Sequence, residues 1–191
     1  MGKFKFVETE IKDVYLIEPT LFGDSRGFFM ETYHYKEFKK AGLDMVFIQD
    51  SHSKSKRGVL RGLHFQKKHS QGKLVRVIKG AIYDVVVDLR KGSPTFGEWM
   101  GVELTEKNKR ILYIPEGFAH GFITIEEETE FLYKCTDYYH PEDEGGLIWN
   151  DPNLNIAWPI ANPILSEKDK KWPNLNELDF FFTYQSKNEG K

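Results

Sequence analysis

Short runs in which apolar and polar residues alternate, with turn residues between them, fill most of this chain. "VYLIEP", "FFMETY", "VFIQDS", "VLRGLHF", "KLVRVI", "AIYDVVVDL", "WMGVEL", "RILYIP", "HGFITI" and "FLYKCTDYY" are rich in β-branched and aromatic residues, which predicts a strand over each. Breakers separate them at Gly23–Asp24, Gly72, Gly80, Gly92–Ser93–Pro94, Asn108 and Pro115–Glu116–Gly117. Many short strands at near-regular spacing point to an all-β sandwich or barrel and away from a βαβ array. Helix is predicted in two places. "YHYKEFKKAG" puts Tyr35, Phe38 and Ala41 on one face and stops at Gly42. "LSEKDKKW" opens on Ser166 as an N-cap and stops before Pro173.

With 191 residues and no internal repeat, low-complexity tract or Pro/Ser-rich linker, the chain reads as one domain, 1–191. Its polar end, 183–191, reads as a frayed tail. A net charge of −2 supplies no broad basic field for nucleic acid or a membrane surface. Any bound anion must therefore be held by a local cluster. One cysteine, Cys135, leaves no intrachain disulfide and fits a reducing cytosol. The opening residues lack the apolar stretch of a secretion signal, and "MGKFKF" lacks the Ser or Thr of a myristoylation site. No apolar run approaches membrane-spanning length, so a soluble, cytoplasmic protein is expected. Aromatic residues make up 15% of the chain, enough to fill a barrel core or to line a pocket that stacks on a flat ligand.

The candidate chemistry starts in "GVLRGLHFQKKHSQGKLVR", Gly58 to Arg76, where Arg61, His64 and Lys73 interrupt an apolar hairpin. Strict alternation would send Arg61 and His64 to opposite faces. Gly62 between them marks a β-bulge that re-aims the next side chain, which would reunite them. Downstream, "IPEGFAHGF" gives a P-x-G-x-x-H pattern through Pro115, Gly117 and His120. The two segments together resemble the paired motifs of the cupin superfamily, small β-barrels of jelly-roll (double-stranded β-helix) type. Many cupins hold a metal through His-x-His and Glu in the first motif. Here that motif reads His64-Phe65-Gln66, and only Lys67, Lys68 and Lys73 follow, so no metal site is expected.

Further stretches sharpen the match. "FGDSRGFFMETY", "QDSHSKSKRGVLRGLHFQ", "QGKLVRVIKGAIYDVVVDLRKGSPTFGEW", "IPEGFAHGF", "EGGLIWNDPNLNIAWP" and "LSEKD" occur in that order from Phe22 to Asp169. Together they resemble the dTDP-4-dehydrorhamnose 3,5-epimerase family. The resemblance implies a cupin barrel over about 22–150, a segment 151–180 near its mouth, and a few short helices. It also implies an isomerase without metal or cofactor, a homodimer, and a dTDP-4-keto-6-deoxy sugar as substrate. A relative that inverts only C3 or only C5 is the nearest alternative. Carried over residue by residue, His64 is the base, Tyr133 the proton donor, Lys73 the cation at the keto oxygen and Asp169 the partner of the histidine. Arg26, Glu31, Gln49, Ser51, Arg61, His120, Glu144 and Lys168 fall on substrate-contacting positions. Ser51 stands where the family commonly has asparagine.

These roles suit the residues. A C4 ketone acidifies the hydrogens on C3 and C5, so epimerisation needs a base, a proton donor and a group to stabilise enolate charge. Histidine, with an ordinary pKa of about 6.5, is neutral and still basic at cellular pH, and a phenol of pKa about 10 can protonate an enolate carbon. Arg61 and Arg26 match diphosphate geometry. Each residue also has a plainer reading. Tyr133 reads as a core tyrosine with Tyr138 and Tyr139 as rival donors, Lys73 and Arg76 as solvated strand residues, and Asp169 as the capping-box partner of Ser166. His34, His52, His69 and His140 sit in surroundings that suggest no role beyond exposed loops.

Overall fold

The structure, a computed structural model, describes residues 2–186. The alternating pattern resolves into fifteen strands among those residues. Six of them, β1 (Phe4–Glu8), β2 (Tyr15–Pro19), β5 (Gln49–Ser55), β7 (Lys73–Lys79), β11 (Ile111–Ile114) and β13 (Thr129–Cys135), form one sheet in the order β1-β2-β11-β7-β13-β5. Five more, β6 (Leu60–Gln66), β8 (Ala81–Asp88), β10 (Trp99–Thr105), β12 (Phe118–Thr124) and β14 (Glu144–Gly146), form a second in the order β10-β8-β12-β6-β14. Every pairing within both sheets is antiparallel. Successive strands such as β6 and β7 lie in different sheets, the layout of a jelly roll. β3 (Phe22–Asp24) and β4 (Gly27–Phe29) make a separate hairpin, and β15 (Phe182–Thr183) runs parallel to β9 (Arg90–Lys91).

Side-chain alternation builds three apolar layers. Between the sheets, Val75, Val77, Leu112 and Phe131 of the larger meet Ile82, Val86, Met100, Leu104 and Phe122 of the smaller. Outside the smaller sheet, Leu63, Phe65, Val85 and Val87 are covered by the C-terminal residues Leu147, Leu154, Trp158, Phe180 and Phe182. Outside the larger sheet, Ile17, Leu74 and Ile111 are covered by Phe38 of α1 (Tyr35–Lys40), the single α-helix among the described residues. Phe38 is fully buried, edge-on to Phe4 and Phe6. The outer two strands of the larger sheet, β1 and β2, precede the 22–150 span.

Several expectations from the sequence are corrected. No helix forms at Ser166–Trp172. Residues 167–170 make a turn instead, because the Asp169 side chain is drawn into the barrel and one turn alone cannot repay the cost of helix nucleation. Short 3₁₀ turns stand at Pro141–Asp143 and Leu175–Glu177. The 183–191 tail is not frayed from its start. Thr183 lies in β15, and the Tyr184 N–H donates to Lys91 O at 2.9 Å. Residues 187–191 of that tail lie outside the described residues. Strand pairing in "FFMETY" stops at Phe29, in "VFIQDS" starts only at Gln49, and in "FLYKCTDYY" stops at Cys135.

Candidate active site

Arg61 pairs with Phe122 and His64 with His120, so a three-residue step on β6 faces a two-residue step on β12. The extra residue makes a β-bulge at Gly62–Leu63. Gly62 has φ +137°, in the region that favours glycine, and packs against the β12 backbone. The bulge turns Arg61 and His64 to the same side, while Leu63 and Phe65 join the outer layer.

That side is a cavity of about 640 Å³ between the sheets. His64, Lys73, Tyr133 and Asp169 all line it, together with Gln49, Ser51, Arg61, His120, Glu144 and Lys168. His64 and His120 come from the smaller sheet, Lys73 and Tyr133 from the larger one, so the groups converge from two walls. Asp169 and Lys168 arrive on the 167–170 turn. Arg26 and Glu31 are not brought there by this chain. Arg26 sits at the tip of the β3–β4 hairpin, paired with Asp24 at 2.5 Å, and its side chain is 88% exposed. Glu31 accepts a hydrogen bond from Lys3.

Asp169 is buried, and its Oδ1 lies 2.5 Å from His64 Nε2. An ionised carboxylate there requires the proton on Nε2, which leaves the lone pair on Nδ1, 3.8 Å from Glu144 Oε1. Burial pushes the Asp169 carboxyl up. The hydrogen bond and charge of His64, with the Ser166 hydroxyl, outweigh it and hold the group below the usual carboxylate value. Burial also lowers the Lys73 ammonium, only partly offset by Cys135, Asp84 and Glu144. Glu144 in turn accepts from Lys168 Nζ at 2.7 and 2.8 Å and from the Tyr139 hydroxyl at 3.1 Å. Gln66 fixes the rim, donating to His69 O and Tyr138 O and accepting from the His140 N–H.

Sequence reasoning missed Asp84. Both its carboxylate oxygens lie 3.0 Å from His120 Nε2, and both residues are buried. Burial lowers the His120 pKa by more than Asp84 restores, and Lys73 and His64 lower it further, so the ring is neutral near pH 7. The signal was available: an aspartate inside the apolar run "AIYDVVVDL" needs a buried partner. Among the described residues, no group of three or more His, Cys, Asp or Glu side chains is placed to hold a metal ion. No helix among them is long and apolar enough to cross a membrane.

A sequence model of the dTDP-4-dehydrorhamnose 3,5-epimerase family matches residues 8–177. The chain belongs to that family. A dTDP-4-dehydrorhamnose 3,5-epimerase of Shigella flexneri is 52% identical over 177 residues, which cover 92% of this chain and 98% of that protein. The crystal structure of a dTDP-6-deoxy-D-glucose-3,5-epimerase from Legionella pneumophila, in complex with dTDP-4-keto-L-rhamnose, superimposes with a TM-score of 0.93 at 46% identity. The match covers 96% of this chain and all of that one. A 3′-monoepimerase from Streptomyces bikiniensis in complex with dTDP-quinovose gives a TM-score of 0.87 at 34% identity, covering 93% and 92% of the two chains. The family's jelly-roll barrel is the fold described above.

Proposed function

We propose that the protein is a dTDP-4-dehydrorhamnose 3,5-epimerase that converts dTDP-4-keto-6-deoxy-D-glucose to dTDP-4-keto-L-rhamnose. The observation that carries the mechanism is the His64–Asp169 pair on one wall of a cavity whose other wall carries Tyr133 and Lys73. His64 Nδ1 removes a proton from carbon beside the C4 ketone, and Asp169 stabilises the imidazolium that forms. Lys73 stabilises negative charge on the keto oxygen as the enolate develops. Tyr133 returns a proton from the opposite face of the ring, inverting the carbon; His64 then gives its proton to solvent and Tyr133 takes one up, and the cycle repeats at the second position. No step uses a metal. The one histidine–histidine pair facing the cavity has its Nε2 atoms engaged by Asp169 and Asp84, which leaves a weak donor set for a divalent ion.

Gln49, Ser51, Arg61, His120, Glu144 and Lys168 hold the sugar nucleotide, with the Arg61 guanidinium at the diphosphate. Arg26 and Glu31 belong to the site of a second copy in a homodimer. The support is the β3–β4 hairpin, which holds Phe22, Phe28 and Phe29 more than half exposed beside Arg26. A soluble sugar-nucleotide substrate and a free, buried Cys135 fit a single cupin domain working in the cytoplasm.

The experiment is proton exchange. Purified protein with dTDP-4-keto-6-deoxyglucose in D₂O is expected to place deuterium at both C3 and C5, read by NMR, and to do so after exhaustive chelation. Label at one carbon would make it a monoepimerase, and label at neither would end the proposal. Identity of 52% and 46% to the Shigella and Legionella 3,5-epimerases, against 34% to the monoepimerase, favours two positions.

A further inference from the structure

The carboxylate that holds the base is itself held. Asp169 Oδ1 faces His64, and its other oxygen, Oδ2, accepts a hydrogen bond from the Ser166 hydroxyl at 2.8 Å. The same hydroxyl oxygen accepts the Asp169 backbone N–H at 3.1 Å, closing a loop around one residue. Asp169 is only 3% exposed, so bulk water does not readily replace a lost donor.

We propose that Ser166 is a positioning residue for this reaction, fixing the orientation and proton affinity of the His64–Asp169 pair without touching the reacting carbons. The backbone around it is arranged for that task. Ile164 is bonded at both its N–H and C=O to Gly58 and Leu60, at the start of the strand that carries His64. At the far end of the turn, Pro173 O accepts the Ile148 N–H. Between these anchors the Ser166 hydroxyl donates to Asp169 Oδ2, and Trp172 also helps to lower the Asp169 carboxyl. Trp172 meanwhile stands edge-on to the His64 ring, with centroids 6.2 Å apart, and packs against Gly146. The ionisable groups facing the pair are Glu144 from β14, Lys168 from the turn itself, His120 on the neighbouring strand β12, and Lys73 across the cavity. None of them donates to Oδ2.

This inference rests on the epimerase reading, and the test separates the two. Ser166→Ala is expected to lower kcat by about tenfold to a hundredfold, the scale of a slightly misplaced catalytic group, with little change in KM. Removing a donor to the carboxylate raises the proton affinity of the pair, so the acidic limb of the kcat/KM profile should move to higher pH. Ser166→Thr, which keeps a hydroxyl, should restore both. Should the alanine variant fail to fold, Ser166→Thr and Ser166→Val, near-isosteres that differ in the hydroxyl, provide the same comparison. Wild-type kcat and an unmoved acidic limb in the alanine or valine variant would overturn the role of Ser166. If that happens while the unmodified enzyme exchanges at C3 and C5 and His64→Ala does not, only this inference falls. A silent unmodified enzyme would remove the reading beneath it as well.

Discussion

A side chain on Gly62 would have to occupy the place of the Gly121 backbone: a Cβ there would lie 2.4 Å from the Gly121 α-carbon. The relation is mutual, since a Cβ on Gly121 would meet Arg61 O at 2.8 Å and the Gly62 α-carbon at 2.9 Å. These two glycines let β6 and β12 close on each other while β6 carries an extra residue. That residue puts His64 and Arg61 on one wall.

Gly62→Ala should therefore be costly twice over, for the left-handed backbone and for the collision. Together these amount to about 2–6 kcal/mol. A urea titration should show a lower midpoint, and the folded fraction should have lost epimerase activity as β6 re-registers. An unchanged midpoint with full activity would mean that the bulge does not depend on glycine.

Asp169→Asn tests the partner of the base. An amide can present a donor to Nε2 and so stabilise the wrong tautomer, while the imidazolium loses its counter-charge. In the comparable serine-hydrolase arrangement that change costs about 10⁴ in kcat. A loss of roughly 10²–10⁴ is expected here, read as slowed deuterium incorporation at both carbons. A loss confined to one carbon would show that His64 serves only that position.

Lys73 gives a prediction in pH. Burial lowers its pKa from the ordinary value of 10.5, so its charge is lost as pH rises through a value below the normal lysine range. The alkaline limb of kcat/KM should begin there. The stability consequence follows from linkage. Between the lowered folded pKa and the unfolded value the unfolded chain binds more protons, so stability rises with pH across that window. Lys73→Met, which removes the buried charge, should lower kcat by about 10²–10³ and raise the thermal midpoint at neutral pH. A variant that loses stability as well would show that the ammonium has a structural partner.

Much of this fold and site is legible in the sequence. The strands of both sheets from β6 to β13 announce themselves through alternation and β-branched content, because each packs one or both faces against an apolar layer. By contrast, β5 (Gln49–Ser55) carries no apolar residue and lies mostly beyond the predicted run. The bulge was legible through Gly62, the one residue between Arg61 and His64 that tolerates the required backbone. Less visible were elements whose stability is tertiary. β14 and β15 are two or three residues long and exist only because a neighbouring strand offers an edge. The 166–172 segment carries a helix-start signal, yet the Asp169 side chain turns into the barrel to meet His64, a contact 105 residues away in sequence. Asp84 was passed over because its run reads as core, though a carboxylate in such a run is itself the clue.

The assembly can be tested through function rather than mass alone. In this chain Arg26 projects from an exposed hairpin and does not reach its own cavity, so a site that uses it must borrow it from a second copy. Arg26→Glu and His64→Ala enzymes should each be strongly impaired. After subunit exchange, about half of the dimers are mixed, and each mixed dimer holds one site with an intact His64 and an intact partner Arg26. The mixture should then recover about a quarter of unmutated activity, and sedimentation should give a dimer mass at micromolar concentration. Recovery cannot occur if Arg26 serves its own chain's cavity, because every site would then keep one lesion. A dimer that never complements would place the hairpin at the interface but not in the chemistry.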